Sequence, residues 1–354
     1  MPLWGDESGR LRCVDVIGPR RKDGSFRSVE WTGFRVLRLV NGEMTMRAVR
    51  SGLSALVITS MFLLAPSASG ASSPPSRARA SFPVTVQSAG GKVTIASRPT
   101  SIVSLSATAT EMLYAIGAGP QVRAVDKYSN YPPNAPITNL DGFSINAEAL
   151  VKYHPDLVVV SYEPAGFVAQ MAKLKIPVLY DPAAPTLAVA YHQYLGLGRA
   201  TGNYARAVAE VGRLKARIAQ IVRTTPHVPA GTTYYYELDP TYYSVTSHTF
   251  MGQLLGLLGL SSIADAAGVN TNGGYPQLNA EFIIQANPDY IFLTDGPCCQ
   301  VTPQSVAARP GWSVLSAVSH GRIVNLNADI ASRWGPRIVN LLQEVANAIK
   351  KYQG

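Results

Sequence analysis

Short continuous apolar runs alternate along this chain with stretches whose apolar residues recur every three or four positions. Such runs predict buried strands, and the three- to four-residue period predicts helices. The predicted strands are residues 101–105, 122–125, 157–160, 177–180, 232–238, 290–293 and 322–326. The predicted helices are residues 106–116, 167–174, 187–199, 204–223, 250–258 and 336–352. This alternation predicts an α/β fold with parallel sheets covered on both faces.

One phrase occurs twice, 133 residues apart. Asn146-Ala147-Glu148 and Asn279-Ala280-Glu281 are each followed, after six intervening residues, by Pro-Asp and an apolar run. Asn is a preferred N-cap, and the Glu two residues later favours the positive end of a helix. Each copy therefore predicts a capped helix leading into a buried strand, and the chain is predicted to have two lobes built alike.

The longest amphipathic stretch lies between the two copies. In residues 204–223 the apolar positions recur at three- and four-residue steps, which predicts a long helix. Residues 224–231 break this pattern with two prolines and a glycine, so we place the lobe boundary there. Residues 82–95 predict a hairpin that turns at Gly90-Gly91, and Pro336 is expected in the first turn of the last helix.

Residues 44–71 have the features of a secretory signal. A short basic start precedes an apolar core at residues 53–65, and small residues follow. The core is too short for a membrane span of about 20 residues. Residues 1–43 precede this signal, which we interpret as an over-extended start with translation beginning at Met44 or Met46. The alternative is a long leader or a cytoplasmic tail on an uncleaved anchor.

The net charge of +9 overstates the charge of the exported part. After residue 71 the chain has 21 basic and 16 acidic residues, a net charge of about +5. No run or helical stripe of Lys and Arg appears, so nucleic acid is not an expected partner.

The cysteines and histidines do not form a metal-binding pattern. After the signal the chain has only Cys298 and Cys299, predicted to lie on a loop as a vicinal disulfide or a pair of thiols. The five histidines are scattered without ligand spacing, so no metal site and no cofactor are expected. No cysteine follows the signal core closely, which leaves no lipid-attachment site. The protein is therefore expected to be periplasmic or secreted.

Several short motifs, in order from residue 98 to residue 351, resemble one family. They are Arg98-Pro-Thr-Ser-Ile-Val-Ser-Leu-Ser, Thr110-Glu-Met-Leu, Ala115-Ile-Gly-Ala-Gly, Tyr128-Ser-Asn-Tyr-Pro-Pro, His154-Pro-Asp-Leu-Val and Trp334-Gly-Pro-Arg-Ile. Their order and spacing are similar to those of the helical-backbone class of ABC-importer substrate-binding proteins. That group captures cobalamin and ferric siderophores, and the Tyr128 motif is most similar to its cobalamin-binding branch.

The resemblance implies two Rossmann-like parallel-sheet lobes joined by one long α-helix, with a ligand cleft between them. It also implies that an exposed Glu on each lobe docks to a permease dimer, and Glu148 and Glu281 occupy those positions. The favourable position of each Glu at a helix start is a second explanation, and both roles are compatible. The expected division is an extension (1–43), a signal peptide (44–71), a linker with the hairpin (72–97), an N-terminal lobe (98–200), a linking helix (201–228) and a C-terminal lobe (229–354).

A large metal chelate needs rigid aromatic walls and a few placed polar groups. The chain has 17 Tyr against 9 Phe, and several aromatic residues fall in loops at strand ends, where open α/β sheets bind ligands. The positions that match the family's cleft are Tyr128 or Tyr131, Phe143, Tyr162, Tyr242 or Tyr243, Tyr275, and Arg333 or Trp334. Each of them also has a simpler explanation as loop packing. Asp239 could accept a hydrogen bond from the ligand or only shape the turn at Pro240.

The sequence therefore leaves three functions open. The first is a receptor for a cobalamin-like corrinoid, and the second is the same fold with a ferric siderophore or haem as ligand. The third is an enzyme of a related two-lobed fold. The chain lacks Gly-x-Ser-x-Gly, His-Glu-x-x-His, Walker and Cys-cluster motifs, so no catalytic residue is expected and the enzyme is disfavoured.

Overall fold

The computed structural model describes Trp4–Gly5, Leu11–Arg12 and residues 81–353. The first two segments are short paired antiparallel strands, β1 and β2. Apart from them, the predicted extension, the signal peptide and residues 72–80 of the linker lie outside the described residues. In the part of the chain that is described, no helix is both long and apolar enough to cross a membrane.

A hairpin leads into the N-terminal lobe, as predicted. It consists of β3 (Val84–Ser88) and β4 (Gly91–Ile95). The turn lies one residue earlier than predicted, because Gly91 already belongs to β4 and pairs with Ser88. The Ser88 hydroxyl donates to the Tyr180 carbonyl at 2.9 Å, which fixes the hairpin to the lobe.

The N-terminal lobe is a parallel sheet with helices packed around it. Its strands are β5 (Ile102–Leu105), β6 (Val122–Val125), β7 (Leu157–Val160) and β8 (Val178–Tyr180). Its helices are α1 (Ala107–Ala115), α2 (Ala147–Val151), α3 (Phe167–Lys173) and α4 (Leu187–Ala200). The strand order is β6-β5-β7-β8, and all neighbours are parallel.

Helix α5 (Tyr204–Thr224) joins the two lobes, as predicted. Its first half packs into the apolar cluster of the N-terminal lobe, and its second half packs into that of the C-terminal lobe. The residues concerned are Ala207, Val211 and Leu214 in the first half and Ile218 and Ile221 in the second. One continuous helix therefore belongs to both cores.

The C-terminal lobe repeats the architecture. Its strands are β9 (Thr233–Glu237), β10 (Ser261–Ser262), β11 (Tyr290–Leu293) and β12 (Ile323–Asn325). Its helices are α6 (Phe250–Gly256), α7 (Ala280–Ala286), α8 (Gly296–Cys299), α9 (Pro303–Ala307), α10 (Ser316–Ser319), α11 (Ala328–Ala331) and α12 (Ile338–Gln353). The parallel strand order is β10-β9-β11-β12.

The central strands are buried on both faces, which explains their unbroken apolar sequences. In β7, Leu157 and Val159 pack on one side of the sheet and Val158 and Val160 on the other. In β11 the residues alternate in the same way, with Tyr290 and Phe292 in one cluster and Ile291 and Leu293 in another. Helices therefore cover both sides of each sheet.

The repeated phrase forms the same local structure in both lobes. Asn146 caps α2 by accepting a hydrogen bond from Ala149 N–H at 3.0 Å. Asn279 caps α7 by accepting one from Phe282 N–H at 2.8 Å. The predicted N-caps are confirmed.

In both lobes, the Asp of the repeated phrase joins the amino ends of the two central strands of the sheet. The Asp156 carboxylate accepts hydrogen bonds from Thr100 N–H at 2.7 Å and Ser101 N–H at 3.0 Å, just before β5. Asp289 accepts one from Thr233 N–H at 2.9 Å, at the start of β9. The aspartate thus ties its own strand to the neighbouring one.

The last helix begins later than predicted. Pro336 lies in a turn before α12, and the helix begins at Ile338. This turn closes with a hydrogen bond from Ile338 N–H to the Gly335 carbonyl at 3.2 Å. The expectation that Pro336 occupies the first helical turn is therefore wrong.

Candidate functional site

Three predicted ligand residues of the N-terminal lobe form a row of rings. The Tyr128 and Phe143 centroids are 5.5 Å apart with the rings at 69°, and those of Phe143 and Tyr162 are 6.4 Å apart at 28°. All three side chains are half-buried. Tyr128 follows β6 and Tyr162 follows β7, so this N-lobe aromatic row lies at the carboxyl ends of the strands.

A polar turn positions the middle ring of the row. The Asp141 carboxylate accepts hydrogen bonds from the N–H groups of Phe143 at 2.8 Å and Ser144 at 3.2 Å. Its other oxygen binds Lys127 Nζ at 2.8 Å, and that ammonium lies 5.1 Å from the Tyr128 centroid. Gly142 lies between Asp141 and Phe143 in the chain. A Cβ at this position would lie 2.6 Å from the Leu105 carbonyl oxygen, so only glycine fits there.

Tyr131, three positions after Tyr128, does not join the N-lobe aromatic row. Its side chain is 39% exposed. The guanidinium carbon of Arg337 lies 4.3 Å from its ring centroid, a cation–π geometry. Tyr131 therefore contacts a residue of the C-terminal lobe.

The C-terminal lobe carries an aromatic pair at the carboxyl end of β9. Tyr242 stacks on the buried Trp312 with centroids 6.0 Å apart at 28°. The Arg309 guanidinium lies 4.7 Å from the Trp312 ring and 5.5 Å from that of Tyr242. Two hydrogen bonds of 2.6 and 2.7 Å bind Arg309 to the fully buried Glu237, the last residue of β9. We call Tyr242 and Trp312 the C-lobe aromatic pair.

Asp295 is fully buried close to Glu237, the carboxylate that binds Arg309. Neither of its carboxylate oxygens accepts a hydrogen bond from any residue that the structure describes. Burial, and next the negative charge of Glu237, raise the pKa of Asp295 from 3.8 to about 8, against a smaller opposing effect of Arg309. Burial and Glu237 therefore favour the protonated form of Asp295 at neutral pH.

The other predicted residues of this lobe have different surroundings. Asp239 is buried, and its carboxylate accepts hydrogen bonds from the N–H of Thr241 at 2.7 Å and from its hydroxyl at 2.6 Å, so it shapes the turn after Pro240. Tyr243 bridges to Gln277, and its carbonyl accepts from Leu238 N–H. Tyr275 is half-buried against the lobe's core, and burial raises the pKa of its hydroxyl.

Arg333 and Trp334 link the lobes. Arg333 is 7% exposed and binds Glu111 of α1, with Nη1 and Oε1 2.8 Å apart. The indole N–H of Trp334 donates to the Gln193 side chain of α4 at 2.6 Å. Their predicted contact with a ligand stays a prediction, and the structure gives both of them protein partners.

These contacts show how the two sheets are arranged. The Asn130 side chain, after β6, donates to the Asp329 carboxylate, after β12, at 2.7 Å. Arg333 Nη2 also donates to the Tyr128 carbonyl at 3.1 Å. The segments that follow β6 and β12 therefore lie beside each other. Tyr128, Tyr162 and Tyr242 each follow the carboxyl end of a strand.

The repeated glutamates are on the surface. Glu148 and Glu281 lie in the first turns of α2 and α7, and both are exposed. Their corresponding positions follow from the repeated local structure described above.

The two neighbouring cysteines lie in the short helix α8 rather than on the predicted loop. Their sulfur atoms are 2.8 Å apart, longer than the about 2.05 Å of an S–S bond, so they are not joined to each other. Among the described residues, no group of three or more His, Cys, Asp or Glu could hold a metal ion.

Sequence reasoning did not identify Arg309, Trp312 or Glu237. Each has an ordinary local sequence, and Arg309 and Glu237 are separated by 72 positions along the chain. The Arg-Pro-Gly-Trp turn at residues 309–312 was the one local sequence feature that could have pointed to Arg309 and Trp312. Glu111 appeared only as part of a motif, because nothing local shows that it meets two arginines more than 220 positions away.

The family model described as periplasmic binding protein matches residues 102–330. YvrC of Bacillus subtilis strain 168, an uncharacterized ABC transporter substrate-binding lipoprotein, is 29% identical over 313 residues, covering 85% of this chain and 97% of the relative. A cobalamin-binding protein of Halobacterium salinarum is 28% identical over 312 residues, covering 83% of this chain and 82% of the relative.

A solved structure has the same architecture. The crystal structure of a possible iron-binding (periplasmic solute-binding) protein from Staphylococcus epidermidis superposes with a TM-score of 0.62 at 26% identity. The superposition covers 72% of this chain and 99% of the Staphylococcus epidermidis protein. The two-lobed α/β fold with a long connecting helix is confirmed.

Proposed function

The chain belongs to the periplasmic binding protein family, and we propose that it is the substrate-binding component of an ABC importer that captures a cobalamin-like corrinoid. This family consists of binding proteins, which confirms the prediction that the chain is not an enzyme. The proposed binding place is the cleft between the N-lobe aromatic row and the C-lobe aromatic pair. No reaction is part of this function.

The N-lobe aromatic row carries the proposal. Tyr128, Phe143 and Tyr162 form a half-buried apolar wall at the carboxyl end of a parallel sheet, where α/β folds bind ligands. A broad planar chelate gains contact area from such rings at low entropic cost. The names of the Halobacterium salinarum and Bacillus subtilis relatives agree with a binding function.

The charges near the rings favour a ligand without strong net charge. Lys127 is bound to Asp141, Arg309 to Glu237 and Arg333 to Glu111. Because each of these cations already has a carboxylate partner, an anionic chelate would have to compete for it. A corrin ring bordered by neutral amides has no such requirement. A ferric siderophore or haem is the alternative ligand for the same fold, and the Staphylococcus epidermidis structure is described as a possible iron-binding protein.

The partner in this proposal is a permease dimer. Glu148 and Glu281 are exposed at matching places of two lobes that are built alike. Arginine binds carboxylates through its planar fork, so a symmetric pair of arginine pockets suits such a pair. We propose that each glutamate docks to one permease subunit.

The proposed location is outside the cytoplasm. Residues 44–71 predict a signal peptide, and the family is periplasmic. The Bacillus subtilis relative is a lipoprotein, whereas in this chain no cysteine lies between the apolar core at residues 53–65 and Cys298. We therefore propose an exported protein that is not attached to lipid.

The proposal is tested by titrating the full chain with cyanocobalamin while protein fluorescence is recorded. Phe143→Ala removes the middle ring of the row and is expected to weaken binding by about tenfold or more, since losing a well-packed aromatic contact costs about 1.4 kcal/mol or more.

Tyr204→Ala is the matched control. Tyr204 is likewise an aromatic ring with partial exposure, 38%, and Arg199 lies 4.4 Å from its centroid. It lies at the start of α5, outside both sets of rings. The affinity of the Tyr204→Ala variant should equal that of wild type. Equal affinity of the Phe143 variant and wild type would contradict the proposed binding place.

A further inference from the structure

Glu111 connects the two lobes through a buried carboxylate. It lies on α1 of the N-terminal lobe, and its side chain has no exposed surface. It accepts three hydrogen bonds from two arginines of the C-terminal lobe. Arg333 Nη1 donates to Oε1 at 2.8 Å, Arg337 Nη2 donates to Oε1 at 2.6 Å, and Arg337 Nε donates to Oε2 at 3.0 Å.

Arg333 also holds the loop that carries Tyr128. Its Nη2 donates to the Tyr128 carbonyl at 3.1 Å and to the Asn130 side-chain oxygen at 2.8 Å. The same nitrogen lies 3.4 Å from the Asp329 carboxylate. Both terminal nitrogens of the Arg333 guanidinium therefore already donate to protein groups, so few of its N–H donors remain for a ligand.

Arg337 contacts the other end of the same loop. Its guanidinium lies 4.3 Å from the Tyr131 ring. Residues 128–131 are thus held from the opposite lobe at a backbone carbonyl, a side-chain amide and an aromatic ring, and the two arginines that hold them are in turn held by Glu111.

This arrangement depends on the carboxylate. A buried arginine, Arg333, and a half-buried one, Arg337, repel each other and keep donors without acceptors when they lose their shared anion, which is unfavourable. The backbone also fits closely here, because a Cβ on Gly335 would lie 3.1 Å from Glu111 Oε2. The segment that carries both arginines is therefore fitted to Glu111 by shape as well as by charge.

We infer that Glu111 is a positioning residue: through Arg333 and Arg337 it fixes residues 128–131, and with them Tyr128, against the C-terminal lobe before any ligand binds. The lobes are held at their spacing by this buried cluster together with helix α5. Only the consequence for ligand affinity rests on the proposed function, since the cluster itself is formed by the protein alone.

The test is hydrogen exchange of the ligand-free full chain, comparing Glu111→Gln with Asp156→Asn. Asp156 is a matched control because its carboxylate also accepts three hydrogen bonds, at 2.7, 3.0 and 3.0 Å, all from residues 100 and 101 of its own lobe. Both variants should be less stable than wild type. Only Glu111→Gln should speed exchange at the amides of Ser129 and Asn130, by about tenfold or more beyond the control.

Equal exchange of these amides in the two variants would overturn the inference, because Glu111 would then be an ordinary stabilising group. If Glu111→Gln does not fold, Arg337→Lys serves instead. It keeps the charge but loses the fork that makes two bonds to Glu111, and it should give a smaller increase at the same amides. No increase there would also overturn the inference.

A cyanocobalamin titration adds a second readout. Glu111→Gln should bind about tenfold more weakly than Asp156→Asn when both are compared at temperatures equally far below their unfolding midpoints. If wild type binds no chelate, the proposed function fails while the exchange experiment still decides the role of Glu111. If wild type binds and both variants bind equally, the link from Glu111 to the ligand wall is wrong.

Discussion

At the scale of single residues, Asp295 has the most unusual environment among the described acids near the rings. It is buried beside Glu237 and shares one nearby guanidinium, that of Arg309, with it. A single arginine balances one carboxylate, which favours a proton on Asp295, whose pKa is raised.

Asp295 should make the protein less stable as pH rises. Its folded pKa of about 8 is above the ordinary 3.8, so between these values the folded state keeps a proton that the unfolded state has lost. The contribution of Asp295 to stability is then greatest at low pH and falls by up to about 1.4 kcal/mol per pH unit until pH passes about 8.

We predict that Asp295→Asn, which resembles the protonated acid, flattens this decline in denaturant unfolding measured at pH 5, 7 and 8.5. A weaker slope should remain, since burial also raises the pKa of Asp126 to about 6 and that of Asp181 to about 7. Parallel pH profiles of the variant and wild type would contradict the assigned protonation.

The residues that sequence could identify are those with a local signature. Tyr128, Phe143 and Tyr162 each follow a strand or precede a capped helix, and their loops converge because parallel strands end on one side of a sheet. The partners of Arg333 could not be identified, because Glu111 becomes its neighbour only when the two lobes pack.

At the scale of elements, the repeated phrase is a folding unit used once in each lobe. An Asn cap starts the helix, and an Asp after the proline ties the following strand to the first strand of its sheet. Two lobes with the same start and the same tie therefore present Glu148 and Glu281 in the same local frame.

Removing either cap should destabilise its lobe. Asn146→Ala and Asn279→Ala are each expected to lower the free energy of unfolding by about 1 kcal/mol, because an N–H group of the first turn loses its acceptor. The effects should add in the double variant, since the two caps lie in different lobes. Denaturant unfolding measures them.

Serine variants are the control for the caps. A serine hydroxyl accepts the same hydrogen bond, so Asn146→Ser and Asn279→Ser should lie close to wild type. If the alanine variants were as stable as the serine variants, the caps would contribute nothing.

Most elements were predictable because strands buried on both faces give unbroken apolar runs, as in β7 and β11. The errors lie at element ends. Gly91 joins β4 because it can adopt a φ of +112°, and α12 starts late because the turn before it holds Arg333 and Arg337 on Glu111. Contacts between distant segments decide such ends, and a local pattern does not contain them.

At the scale of the whole molecule, helix α5 and the Glu111 cluster connect the lobes at separate places. One helix belongs to both apolar cores, and one carboxylate binds two arginines across the lobe boundary. We therefore expect a stiff pair of lobes, in which docking to the permease rather than a wide hinge motion releases the ligand.

Docking should depend on the two exposed glutamates together. Glu148→Arg with Glu281→Arg is expected to abolish ligand uptake by cells that depend on this protein, because each reversed charge would face an arginine pocket. Binding by the purified variant should be unchanged. Gln304→Arg, which adds an exposed positive charge outside the repeated helices, is the control and should transport normally. Normal uptake by the double variant would contradict the docking role.

We propose that a corrinoid binds between the two sets of rings in preference to anionic chelates. Competition dialysis of the full chain against equal concentrations of cyanocobalamin, haem and a ferric siderophore, with absorbance spectra of the retained ligand, decides between these ligands. We predict the corrinoid spectrum at one ligand per chain, with less corrinoid retained by the Phe143→Ala variant. Retention of haem or the ferric siderophore, or of no chelate, would contradict corrinoid binding at this place.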